Sequence, residues 1–350
     1  MQRGFDQFWG NHPIVDALSG MLSSGRIPQT ILFGGPEGVG KATLVRRFAA
    51  VLLGHASQIE QDDLSLPSNI ELVEQREKWP AEKRADDPLL FASHPDFLTF
   101  APDGPLRQIS IQQMRLMKER AQFNPLHGRH RIFLVDHLDR ANEQAANSLL
   151  KLFEEPPEYL ILFATAENLY DLLPTIRSRS IVFQFSRLSD EEMQSFLTAK
   201  NLPNGDMRAS LAEGCPGRAL SLDLEQYTQR RDLILSLLES ASGVAPFSSW
   251  VRNSEGFGAR KTEKLEYYFK PAYSLLEDVL AIWQGAGCVR NPDVAERLAA
   301  IASRVDFAWI EKAARAFDEV VLMARRNIQK IIALDAVIMD LRNQLVVSSA

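Results

Sequence analysis

The 350-residue chain is short of cysteine, of excess positive charge and of long apolar runs. Two cysteines, Cys215 and Cys288, leave no disulfide framework and fit a reducing cytoplasm. Neither has a histidine close by in sequence, so a nucleophilic thiol is not indicated. No Ser-His-Asp or paired-carboxylate pattern stands out either. With 39 Lys and Arg against 45 Asp and Glu, the net charge is −6 and the pI about 5.6. A stand-alone nucleic-acid binder would be basic over at least one domain, so that class is disfavoured, while a smaller basic patch within an assembly is not. No stretch approaches the ~20 apolar residues needed to cross a bilayer, and residues 1–6 lack the basic-then-apolar layout of a signal peptide. The expectation is a soluble, cytoplasmic protein with no membrane partner. Composition is otherwise globular, 45% hydrophobic and 24% charged, with length enough for two or three domains.

What the chain does have is Gly35-Pro36-Glu37-Gly38-Val39-Gly40-Lys41-Ala42. The pattern G-x-x-x-x-G-K-[S/T] cradles a nucleoside triphosphate. Glycines let backbone N–H groups approach the phosphates, the lysine neutralises β/γ oxygens, and the hydroxyl holds Mg²⁺. Here Ala42 takes the hydroxyl position. Thr43 follows, but one step along a helix turns a side chain by about 100°. Residues 29–33 read as a buried strand and 42–53 as an apolar-rich helix, so strand, glycine loop and helix come in the required order. The candidate nucleotide-binding residues are Gly35, Gly38, Val39, Gly40, Lys41, Ala42 and Thr43. A ligand-free glycine turn is the plainer alternative.

Further along, Arg131-Ile132-Phe133-Leu134-Val135-Asp136 is an apolar strand ending in an acid, the pattern that places an Asp near the loop's metal. An active ATPase of this type carries Glu next, to orient the attacking water. This chain has His137. Ala42 and His137 each remove hydrolytic chemistry and leave the scaffold, so the expectation is binding without efficient turnover.

Candidate strands at 30–33, 96–100, 131–135, 160–164 and 181–185 alternate with helical patterns, which predicts a parallel sheet covered by helices over residues 1–187. A polar, acid-rich excursion at about 58–87 reads as a surface insertion with one short helix. Residues 188–224 read as a small helical unit opening on Ser189-Asp190-Glu191-Glu192, a capping box. Residues 225–350 are helical throughout, with apolar positions at three- and four-residue spacing over 308–325 and 327–345.

The run Asn147-Ser148-Leu149-Leu150-Lys151-Leu152-Phe153-Glu154-Glu155-Pro156-Pro157, with Asp136 before it, closely resembles the bacterial clamp-loader ATPases. Phe163-Ala164-Thr165 lies where that family carries a nucleotide-sensing polar residue. Ile176-Arg177-Ser178-Arg179-Ser180 is similar to its Ser-Arg-Cys motif, with Ser180 in place of the Cys. His94-Pro95-Asp96 and the closing helix are similar to the delta-prime branch of the family, within the DNA polymerase III clamp loader. The resemblance implies an AAA+ module, a helical lid at 188–224 and a C-terminal all-α collar at 225–350. It implies a non-motor subunit that donates Arg179 to a neighbour's ATP as an arginine finger. Such a subunit helps load the sliding clamp on primed DNA, with gamma/tau and delta subunits as partners in a five-membered ring. Asp136 and Thr165 join the candidate nucleotide site on the same basis, with ATP or ADP held weakly or structurally. Polymerase chemistry would belong to the whole complex.

The chain departs from the family in two ways. Residues 54–95 contain no cysteine, so the family's four-cysteine zinc site is not expected, and His55 and His94 read as ordinary surface or turn residues. In the lid, Gly217 stands near the position of a sensing arginine, and Arg218 falls one residue later. Arg115, Lys118, Arg120, His127, Arg129, His130 and Arg131 form the densest basic stretch of the first domain, as a DNA-phosphate contact or a solvated face. Two alternatives remain: an active gamma/tau-like motor that tolerates Ala42 and His137, and a nucleotide-stabilised scaffold.

Overall fold

The computed structural model describes residues 5, 8–259, 266–286, 289–324 and 330–348. It holds six strands: β1 (Thr30–Gly34), β2 (Phe91–His94), β3 (Phe97–Phe100), β4 (Arg131–Val135), β5 (Leu160–Ala166) and β6 (Ile181–Gln184). The helices are α1 (His12–Ser24), α2 (Lys41–Leu53), α3 (Ala56–Ile59), α4 (Pro67–Glu77), α5 (Ala81–Asp86), α6 (Ile111–Ala121), α7 (Glu143–Glu154), α8 (Pro174–Ser178) and α9 (Asp190–Ala199). They continue as α10 (Gly205–Ala212), α11 (Pro216–Ser221), α12 (Leu224–Ala241), α13 (Phe247–Ala259), α14 (Glu266–Trp283), α15 (Ala295–Ala302), α16 (Phe307–Ala324) and α17 (Lys330–Ser348). The chain divides into two compact units, one of Met1–Gly205 with Ala212–Ser221, the other of Asp206–Leu211 with Leu222–Ala350.

The first unit is built on a sheet of order β2-β3-β4-β5-β1-β6, parallel except for β2 against β3. Its central strands are apolar at every position because both faces are covered. Ile31, Phe33, Ile132, Leu134, Ile161 and Phe163 pack with Leu44 and Phe48 of α2 on one face. The intervening Leu32, Phe133, Val135, Leu160 and Leu162 pack with α6 and α7 on the other, through Met114, Met117, Leu149 and Phe153. Alternate residues of a strand point to opposite faces, and that period alone sorts the two sets.

The five expected strands are present, with ends that differ from the expected ones by at most two residues. β2 is an additional antiparallel strand on the sheet edge, and its four residues are too short and polar to show a pattern in sequence. The expected single short helix of the insertion is instead α3, α4 and α5. α4 lacks a side-chain N-cap and starts on Pro67, and its Arg76 is buried against Asp103 at 2.8 Å, so the ordering comes from tertiary contacts. The capping box at Ser189 and Glu192 forms as expected.

The second unit is helical. Its core gathers Leu235, Leu238, Trp250, Leu275, Trp309, Phe317, Leu334 and Leu341 from α12 to α17. Trp250 Nε1 donates to Asp335 Oδ1 at 2.6 Å. α16 and α17 cover the two expected closing helices, and the positions 325 and 327–329 lie outside the described residues. Among the described residues no helix is long and apolar enough to cross a membrane.

Candidate nucleotide-binding site

Parallel pairing brings the candidate residues to one edge of the sheet. Phe33 is in register with Thr165, and Val135 with Ala164. The glycine loop, Asp136 and Thr165 therefore all sit at the carboxyl ends of neighbouring strands, where open α/β sheets bind ligands. Gly35, Gly38 and Gly40 have φ of 137°, 85° and 98°, a region that disfavours any side chain. Lys41 opens α2 and is buried. Its Nζ donates to Gly35 O and, at 2.9 Å, to Pro36 O. Two of its three protons hold the loop in shape, and the third remains for a phosphate oxygen. Burial lowers the Lys41 pKa from the usual lysine value, opposed by the nearby Asp136, Glu167, Asp139 and Glu37.

These features fit the phosphates of a nucleotide. Metal binding by the loop is another matter. Ala42 is half-buried and packs with the apolar cluster around Phe48. The hydroxyl of Thr43 accepts from Arg46 Nη2 at 3.4 Å. Arg46 itself is buried and paired with Glu60 at 3.1 Å and Asp63 at 2.5 Å. Among the described residues no group of three or more His, Cys, Asp or Glu is arranged to hold a metal ion.

Asp136 and Thr165 form a closed pair. Thr165 Oγ1 donates to Asp136 Oδ1 at 2.5 Å and accepts from His137 N at 2.8 Å. A hydroxyl has one proton, so Thr165 cannot donate to a phosphate while it holds Asp136. His137 sits at φ 56°, with Nδ1 3.9 Å from Glu167 and 4.0 Å from Asp139, beyond hydrogen-bond reach of either.

Arg179 follows α8, away from this cluster. Its Nη2 lies 3.2 Å from Glu154 Oε1 at the end of α7, and its Nη1 donates to Thr175 O at 3.2 Å. Both ion-pair side chains are about two-fifths exposed, at 41% and 42%. Of the basic stretch, Arg131 is buried and spent on the carbonyls of Arg120, Phe123 and Pro95.

His94, expected as an ordinary surface or turn residue, is fully buried. Its ring centroid lies 5.6 Å from that of His55 and 6.1 Å from that of His127. Sequence reasoning had no means of joining three histidines so far apart in the chain. His94 Nδ1 accepts from Asp96 N at 3.1 Å, which leaves the proton of the neutral ring on Nε2, where no acceptor is found. Burial lowers the His94 pKa; Asp96 opposes this and His55 and His127 reinforce it. At α11 Gly217 N donates to Gly38 O at 2.8 Å, while Arg218 pairs with Glu213 at 3.2 Å.

Residues 10–189 match the model of the family described as DNA polymerase III, delta subunit. A DNA polymerase III subunit gamma/tau of Mycobacterium tuberculosis is 29% identical over 253 residues, 69% of this chain and 35% of that protein. The tau subunit of Escherichia coli is 26% identical over 221 residues, 61% of this chain and 31% of that protein. The chain thus spans about a third of the length of these curated relatives. A gamma subunit-related protein of Thermotoga maritima aligns over 94% of this chain and 99% of its own, at 19% identity and a TM-score of 0.43.

Proposed function

The chain belongs to the DNA polymerase III delta subunit family, and from that premise we propose that it is a non-motor, delta-prime-like subunit of a clamp loader. In this reading residues 1–187 form an AAA+ module, 188–224 a lid and 225–350 a collar that joins the other subunits. The module binds ATP or ADP and turns it over poorly. Arg179 completes the site of a neighbouring gamma/tau-type subunit, and the assembly loads a sliding clamp on primed DNA.

The observation that carries the reading is the asymmetry between the two halves of the chemistry. The chain's own loop keeps Lys41 and lacks a hydroxyl at Ala42, and His137 replaces the water-orienting carboxylate. Arg179, by contrast, is exposed and, among the described residues, is held by Glu154 and one carbonyl. Exchanging an exposed ion pair costs about 0–1 kcal/mol, whereas a guanidinium against a developing γ-phosphate charge is worth about 10³–10⁵ in rate. At the transition state, contact with a neighbour's phosphate would therefore return far more than the ion pair gives up.

The test is ATP turnover by a purified gamma/tau-type subunit assembled with this chain, as wild type or as Arg179→Ala. The reading requires a fall of at least about 10³ with the variant, and Arg179→Lys should not restore the rate, because lysine cannot present a planar fork. An unchanged rate would sink it. The gamma/tau names of the relatives favour a second reading, a motor in its own right, which requires steady hydrolysis by the isolated chain despite Ala42 and His137.

A further inference from the structure

We propose that the loop between α6 and β4, residues 122–130, is a docking surface for an acidic protein segment that carries apolar side chains. Phe123 and Leu126 are its anchors, and the cations beside them in the chain supply the charge complement. The loop stands at the amino ends of the strands, because Asp96 directly precedes β3 and Arg131 opens β4. The candidate nucleotide residues occupy the opposite, carboxyl ends.

Two buried charges set the shape of this loop from inside. Asp96 is fully buried, and its carboxylate accepts from Leu126 N at 2.9 Å and from His127 N at 2.6 Å. Arg131, buried as well, donates to the carbonyls of Arg120 and Phe123, each at 3.0 Å, and to Pro95 O at 3.2 Å. Tyr159 Oη adds a bond to Ala121 O at 3.0 Å, where α6 ends. Hydrogen bonds from an ionised group to backbone are stronger than neutral ones, so the loop backbone is firmly held. Its apolar side chains are nevertheless turned out: Phe123 is 53% exposed and Leu126 73%. Polar residues there would serve the fold equally well. Apolar groups on a backbone already fixed lose little further entropy when a partner covers them.

The charge around the anchors says what that partner is. Arg115, Lys118, Arg120 and Arg129 accompany them, against a single acid, Glu119. Among the described residues none of these four cations is ion-paired, whereas Arg46, Arg76, Arg140, Arg179 and Arg187 of the same unit all are. In a chain of net charge −6 this is a local positive excess without internal counter-ions, and it favours an anionic partner. A nucleic-acid strand and an acidic protein segment share that charge, and the anchors separate them. Single strands are gripped by several aromatic rings, one for each successive base, and the loop offers one ring and one branched aliphatic side chain. An aromatic anchor among arginines, widened by an aliphatic group, suits a protein partner.

The experiment selects a random peptide library, displayed on phage, against the full chain. Fluorescence anisotropy then measures binding of the selected peptide and of single-stranded oligothymidine. Two double variants are compared with wild type, Phe123→Ser with Leu126→Ser and Arg120→Glu with Arg129→Glu. The replaced side chains are exposed, so both variants should keep the wild-type urea midpoint. The proposal predicts enriched peptides that combine Asp or Glu with Leu or Phe. Their Kd should rise about tenfold or more in either variant, the scale of one lost anchor, and should weaken as salt is added. Enrichment of nothing, of peptides without acids, or of peptides that bind both variants as tightly as wild type overturns it. Oligothymidine bound more tightly than the peptide, lost in the charge variant and retained in the Phe123 and Leu126 variant, assigns the loop to nucleic acid and overturns it too.

Discussion

Replacing Thr165 by valine tests the site at its most buried point. Valine keeps the shape and removes the hydroxyl, which leaves two groups without partners: the Asp136 carboxylate and the His137 backbone N–H. Thr165 is fully buried and Asp136 nearly so, and water therefore cannot replace what is lost. A buried group left unsatisfied costs about 1–3 kcal/mol, with ionised partners toward the upper end. Thr165→Val is expected to cost roughly 2–4 kcal/mol. Thr165→Ser retains the hydroxyl and loses one methyl, about 0.8 kcal/mol. Urea titrations of both variants should show a lower midpoint with unchanged slope, as expected when stability alone changes. Amide exchange should place the loss in β4 and β5. A valine variant as stable as wild type, or more stable than the serine variant, would refute the reasoning.

Acid should loosen the histidine cluster. His94 has a pKa below the usual 6.5, so its contribution to stability is complete above that value and fades as pH falls through the lowered pKa. His94→Gln should flatten the acid side of a stability-against-pH curve, and a curve identical to wild type would count against it. Ala42→Thr should tighten Mg-nucleotide binding by roughly tenfold, about 1.4 kcal/mol, without brisk turnover, because His137 still stands where a carboxylate is required; calorimetry and a phosphate-release assay check the two parts. In the second unit, Asp335→Ala removes the acceptor of the buried Trp250 and should cost about 1–3 kcal/mol by chemical denaturation.

The sheet was legible because its strands are apolar on both faces and end in punctuation: Gly34 after β1, Asp136 after β4. The glycine loop announced itself by composition and spacing. What stayed hidden depends on distant partners. β2 exists only by pairing with β3, and α4 is ordered by Arg76 reaching Asp103 and Asp87. The Thr165–Asp136 bond follows from the register of β4, β5 and β1, which no local pattern encodes. Arg131 looked like part of a basic surface, yet its guanidinium is spent on three carbonyls inside the fold.

The central claim is that this chain gives its arginine to another site rather than using its own. The most direct measurement is ATP turnover by the assembled complex carrying either Arg179→Ala or Lys41→Ala in this chain. The account predicts loss of turnover by about 10³-fold or more for the first and a rate near wild type for the second. Turnover that survives Arg179→Ala and collapses with Lys41→Ala would contradict it.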